Sequence, residues 1–138
     1  MQVRREGNRI FAKLDKGENV LEMLDKIVKE QKVRNGEILW AIGMIKGLQV
    51  GYFNGREYEK QLFPENLEVV SFHGSIAEDE PRFHIHSACA GKNHGVVGGH
   101  LFGGVADPLL EISISVFENI RAERKVNPAS GLKEISLI

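Results

Sequence analysis

The chain has a single cysteine, no excess of either charge and no long apolar run, and each shortage closes off a class of protein. One cysteine, Cys89, in 138 residues excludes an internal disulfide framework and leaves no cysteine pair for a zinc ribbon. It reads as a small buried side chain rather than a nucleophile, because nothing around it is electropositive. Lys plus Arg number 18 against 19 for Asp plus Glu, a formal charge of −1, so the basic excess that drives non-specific phosphate binding is missing. Arg4, Arg5 and Arg9, and then Arg121, Arg124 and Lys125, read as two solvated basic edges. No stretch approaches the ~20 apolar residues that span a bilayer, and the opening MQVRREGNR lacks the apolar core of a signal peptide. The expectation is a soluble, cytoplasmic chain with no membrane partner. Phosphate-loop and nucleophile-elbow motifs are absent. The glycines from Gly98 to Gly104 lead into another strand, which denies them the strand-to-helix geometry of a dinucleotide site.

What is present fits one domain over residues 1–138, with 42% hydrophobic residues and no internal repeat. Asn8 to Leu14 alternates apolar and polar and reads as a half-buried strand. Val20, Leu21, Leu24, Ile27 and Val28 then recur at helical spacing, opened by Asp15 or Gly17, and give the one helix. From Glu37 the pattern becomes strand-like, with two strands expected on either side of a bend at Lys46 and Gly47. Asn54-Gly55 signals a hairpin joining Leu48–Phe53 to Tyr58–Phe63, since a type I′ turn needs positive φ at its central residues. Pro64 to Asn66 reads as a break, Leu67 to Ala77 as a strand and Glu78 to Pro81 as an acidic turn. Leu109 to Phe117, Arg121 to Val126 and Leu132 to Leu137 complete the strands. The fold class expected is α+β: a curled, mostly antiparallel sheet of about seven strands with one main helix near the N-terminus.

Four of the five histidines and six of the fifteen glycines fall between Pro81 and Gly104. His84 and His86, two apart in a strand, share a face. If Gly91 to Gly95 is a five-residue loop, Ala90 opposes Val96, His86 opposes His100, and His84 lies diagonal to it. Opposed and diagonal Cβ atoms are then ~5 and ~7–8 Å apart, close enough for three imidazoles to converge on one ion. A slip of one residue sends His100 to the other face. Three neutral histidines suit Zn²⁺ or a related metal, leaving a fourth position for water, substrate or another residue. His94 is read as a loop residue and His73 as a strand residue outside this set. Arg82 is read as solvent-exposed, with anion binding as its alternative role. Glu111 serves as a general base only if its strand borders the hairpin.

The stretch PRFHIHSACAGKNHGVVGGHLFGGVA resembles the signature of the PPC (plants and prokaryotes conserved) domain. Gly17-Glu18, Gly43, the Gly-Tyr-Phe-Asn-Gly of residues 51–55, Gly74-Ser75-Ile76 and the segment Asn127–Leu132 extend the match along nearly the whole chain. The resemblance implies a small α+β domain that assembles as a homotrimer, with His84, His86 and His100 as its shared cluster and metal binding as a property of that cluster. In plant relatives the domain follows AT-hooks and mediates contacts among nuclear proteins. No Arg-Gly-Arg-Pro hook occurs here. Asn66 and Leu67, within Glu65–Val70, replace the arginine and phenylalanine of the plant interaction motif. Three functional expectations follow: a trimeric binding or assembly module with a metal (zinc) or small-ligand site, a metal-assisted hydrolase or lyase at the same histidines, or a DNA-associated protein whose arginine edges combine in the trimer.

Overall fold

A computed structural model describes residues 1–138. The chain forms β1 (Gln2–Glu6), β2 (Arg9–Asp15), α1 (Val20–Glu30), β3 (Gly36–Phe53), β4 (Tyr58–Ile76), β5 (Phe83–Ala90), β6 (Val96–Val116), β7 (Ala122–Val126) and β8 (Lys133–Leu137). All pairings are antiparallel. The main sheet runs β1-β2-β6-β3-β4-β5, and β5 also pairs with β6, so the ring β6-β3-β4-β5 closes on itself. The α+β expectation of a curled antiparallel sheet with one early helix describes this architecture. β7 and β8 form a separate two-stranded sheet.

The helix begins at Asn19 rather than at Asp15 or Gly17. The Asn19 side chain accepts hydrogen bonds from the backbone N–H groups of Leu21 and Glu22, satisfying two donors that the first turn leaves free. Its buried face, Val20, Leu24, Ile27 and Val28, joins a core of 25 residues drawn from every strand of the closed ring. Removing these side chains from water is the main favourable term of folding, at roughly 25 cal/mol per Å² of apolar surface.

The strands are fewer breaks and more bends than the sequence pattern implies. Residues 36–53 form one strand rather than two. Gly47, at φ +65°, absorbs the bend as a bulge, and the ladder resumes at Leu48. Pro64 does not end β4 either. It lies opposite that bulge, between the pairs Lys46–Asn66 and Leu48–Phe63, where the ladder is already interrupted and its missing N–H costs nothing. Leu109 to Phe117 likewise continues from the histidine strand as the far half of β6. The N-terminal basic edge is itself a strand, β1, joined to β2 through Gly7 at φ +56°. The Asn54 turn joins the expected strands, but as a four-residue loop: Phe53 pairs with Tyr58, and Asn54 Oδ1 accepts from the N–H groups of Arg56 and Glu57.

The β5–β6 hairpin has the register that the five-residue loop dictates, Ala90 with Val96 and His86 with His100. Gly98 is what lets these strands approach. A Cβ there would stand 2.4 Å from the Ser87 carbonyl oxygen and 2.9 Å from the Ala88 Cα, both backbone atoms that cannot swing aside. Gly98→Ala is expected to destabilise the protein by about 2 kcal/mol or more. Gly91→Ala, whose nearest neighbour is a side-chain atom 3.4 Å away, is expected to cost under about 1 kcal/mol. Urea midpoints measure both, and equal losses would contradict this account of the hairpin.

Candidate metal centre

Along β5 the burial alternates. Ile85, Ser87 and Cys89 point into the core, and His84 and His86 point away from it. β6 answers with Leu101 inside and His100 on the outer face beside His86. The three rings meet there: His84 and His100 have centroids 5.1 Å apart, His84 and His86 5.1 Å, and His86 and His100 5.7 Å. One nitrogen from each ring lies within 4.8 Å of the other two. A set of this kind can hold a metal ion.

The His84–His86 pair has the spacing that a tetrahedral ion requires. Imidazole nitrogens each about 2.0–2.1 Å from such an ion stand about 3.3 Å from one another. The His84 and His86 Nε2 atoms are 3.3 Å apart. The same spacing serves a long N–H···N hydrogen bond when one ring carries the proton. His100 Nδ1 is buried and has no hydrogen-bond partner, a polar atom left unsatisfied in the protein alone.

Burial and neighbouring positive charge hold two of the rings, His84 and His100, toward the neutral form that ligates. Burial, then the neighbouring His84 and His86, then Arg124 and Lys60 hold His100 down to about 4. Burial, followed by His86 and Arg124, lowers His84 as well. Burial pushes the Cys89 thiol up, which agrees with its reading as an inert core side chain.

The surroundings contain residues that the sequence pattern did not single out. Tyr58 and Phe102 flank His100, with centroids 4.7 and 4.9 Å from its ring. Gly51 makes that space: a Cβ there would strike the Phe102 ring at 2.6 Å. Arg124, expected on a solvated edge, is only 7% exposed. Its Nε donates to the Pro81 carbonyl oxygen and its Nη2 to Ser75 Oγ, while its backbone N–H donates to Asp79. Desolvation lowers its pKa and the nearby Asp79 charge opposes that. Nothing local in the sequence separates Arg124 from Arg121. What buries it is the folding of the β7–β8 hairpin against Ser75 and Pro81.

The remaining candidates fall elsewhere. His73 pairs with His86 across β4 and β5, yet its ring meets Ser71 Oγ at 3.3 Å and stays outside the cluster. His94 is an exposed loop residue. Arg82 is not solvent-exposed as expected: its side chain is 18% accessible and its Nε lies 3.3 Å from Asp25 on the helix. Glu111 pairs with Lys13 and Ile42, eleven residues beyond His100 on β6 and roughly 35 Å of extended chain away. It cannot serve as a base at the histidines. Leu67 of the Glu65–Val70 segment is buried inside β4.

A family model for the Plants and Prokaryotes Conserved (PCC) domain, the PPC domain of the resemblance above, matches residues 1–118. The chain belongs to this family. The β7–β8 hairpin of this PPC domain lies beyond the matched residues. No curated protein matches the sequence. Solved structures do. A provisionally assigned DNA-binding protein from Bacteroides thetaiotaomicron is 22% identical with a TM-score of 0.90, over 98% of this chain and 96% of that one. A metal-containing protein from Archaeoglobus fulgidus is 26% identical with a TM-score of 0.84, over 97% of each chain. A plant- and prokaryote-conserved protein from Pyrococcus horikoshii is 25% identical with a TM-score of 0.82, over 96% of this chain and 93% of that one. No helix of this PPC domain is long and apolar enough to cross a membrane.

The depressed histidines set a pH dependence for the metal-free protein. Their folded values lie below the ~6.5 of an unfolded histidine, so the unfolded chain binds more protons between about 4 and 6.5. Stability is complete above ~6.5 and falls as the pH drops through that window. For His100 the loss is on the order of 1 kcal/mol, after discounting for its partial contact with solvent. The urea midpoint is therefore expected to fall between pH 7.5 and pH 5, and to fall less in His100→Asn. An identical decline in both proteins would remove His100 as a cause.

Proposed function

We propose that this PPC domain is a homotrimeric binding or assembly module in which His84, His86 and His100 hold a divalent metal ion, zinc by the chemistry of its donors. The observation that carries the reading is the convergence of three imidazoles, one nitrogen from each within 4.8 Å of the others, on one face of a rigid hairpin. Nitrogen donors without a carboxylate favour zinc and its first-row neighbours over magnesium or calcium. The metal-containing relative from A. fulgidus supports metal binding as such. When bound, the ion supplies Lewis acidity and a coordination position for a ligand. The chain's own part is to fix the three rings on paired strands, hold His84 and His100 toward the unprotonated form, and wall the site with Tyr58 and Phe102.

Assembly is supported by the outer face of the sheet. Phe11 and Trp40 are 48% and 39% exposed and meet edge to face at 5.8 Å, with Ile42 on the same side of β3 at 52%. A contiguous apolar patch of this kind is normally covered by a partner, and further copies of the chain are the simplest one.

The enzyme alternative, a metal-assisted hydrolase or lyase, needs a positioned base. The carboxylate nearest in kind is Glu134, on the wall of the adjoining cavity, and it is engaged by Asn127 Nδ2 and Ser130 Oγ. A DNA-associated role would draw on the arginine edges. Arg5 already donates to the carbonyl oxygens of Gly7 and Gln31, and Arg124 is buried.

Elemental analysis after dialysis against zinc is expected to return about one ion per chain for the unaltered protein and a large loss in His100→Ala, with both proteins folded by circular dichroism. Equal, negligible metal in the two would end the metal reading. Light scattering at micromolar concentration is expected to give three times the chain mass, falling when Trp40→Glu places a charge in the apolar patch. A mass of one chain for the unaltered protein would end the assembly reading.

A further inference from the structure

Beside the histidine cluster the β7–β8 hairpin encloses a cavity of about 610 Å³, within the range that holds small organic ligands. Its walls are of two kinds. Tyr58, Phe83 and Phe102 provide aromatic surface, to which Leu132 and Ile135 of the hairpin add apolar side chains. The polar lining is Ser75, His84, His100, Arg124, Lys133 and Glu134, the last with its carboxylate oxygens taken by Asn127 and Ser130.

Arg124 is the informative residue. A guanidinium has five N–H donors. Here Nε is taken by Pro81 and one Nη2 donor by Ser75, while Nη1 bonds to nothing in the protein. No carboxylate bonds the guanidinium directly: the nearby Asp79 accepts from the Arg124 backbone N–H through Oδ2 and reaches the side chain only as a neighbouring charge. Arg124 is largely removed from solvent with only the Asp79 charge near it, and an anion entering the cavity would take up its unspent donors. Lys60, whose Nζ lies 4.1 Å from the Phe102 ring centroid, adds positive charge on the same side.

We propose that this cavity binds a small aromatic monocarboxylate, with its carboxylate on the free edge of Arg124 and its ring among Tyr58, Phe83 and Phe102. The planar fork of arginine matches a carboxylate, and aromatic walls match a flat apolar body. A phosphate is the poorer fit. The cavity includes no helix residue, so no helix N-terminus is there to hold three oxygens. The proposal deepens the metal-site reading by naming the ligand class of the same face, and the β7–β8 hairpin, outside the family match, is the element that sets its specificity.

The test uses the full chain, zinc-loaded and chelator-treated, with 2-naphthoate and its uncharged amide 2-naphthamide as calorimetric probes. The acid is expected to bind at least about tenfold more tightly than the amide, and Arg124→Gln to erase that ratio without changing metal content. Should Arg124→Gln fail to fold, amide NMR shifts in the unaltered protein decide: naphthoate is expected to move the signals of Arg124 and residues 132–135. Equal affinity of acid and amide, shifts confined to other strands, or no binding by folded protein would overturn the proposal. The two readings separate cleanly. Naphthoate binding without metal uptake removes only the metal site, and metal uptake without naphthoate binding removes only the ligand.

Discussion

The structure depends on the pairing of β5 with β6. That ladder closes the ring of strands, since without it β5 would be the free edge of an open sheet, and it also sets His86 against His100. One set of backbone hydrogen bonds therefore serves the core and the site together. The side-chain period of two makes the arrangement all-or-none. A slip of a single residue would put Leu101 into solvent and His100 into the core.

The cost of the site is carried by that rigidity. Burial, then the neighbouring rings and Arg124, resist a proton on His84 and His100. A floppy hairpin would relax by spreading the rings. The closed ring does not allow it, because Ile85 and Cys89 on the reverse of β5 are locked into the core. The unsatisfied His100 Nδ1 is thus held where an ion can use it, and the same rigidity fixes Arg124 with Pro81 and Ser75 as its side-chain partners and donors to spare.

Much of this was legible in the chain because it depends on neighbours in sequence. The helix followed from the spacing of Val20, Leu24, Ile27 and Val28, and the histidine register followed from a glycine-bounded loop of five residues. The places where local reasoning failed share a cause. Pro64 and Gly47 look like terminators when read alone, but each lies opposite the other's irregularity, so one bulge accommodates both. Arg82 looks exposed until the helix places Asp25 beside it. The N-terminal arginines are solvated as their pattern implies, but the pattern did not show that Arg4 and Arg5 lie on a paired edge strand, where charged side chains are well tolerated.

By itself, then, the sequence determined the period of each element, the register of the histidine hairpin and the identity of the three rings that share a face. All of these are set by contacts a few residues apart or by one tight turn. Only the tertiary structure decided that the long strands bend instead of ending, that Glu111 lies far from the histidines, and that Arg124 turns inward to a cavity. Those outcomes rest on residues dozens of positions apart meeting across the closed ring. Position along the chain carries no information about such meetings until the core forces them.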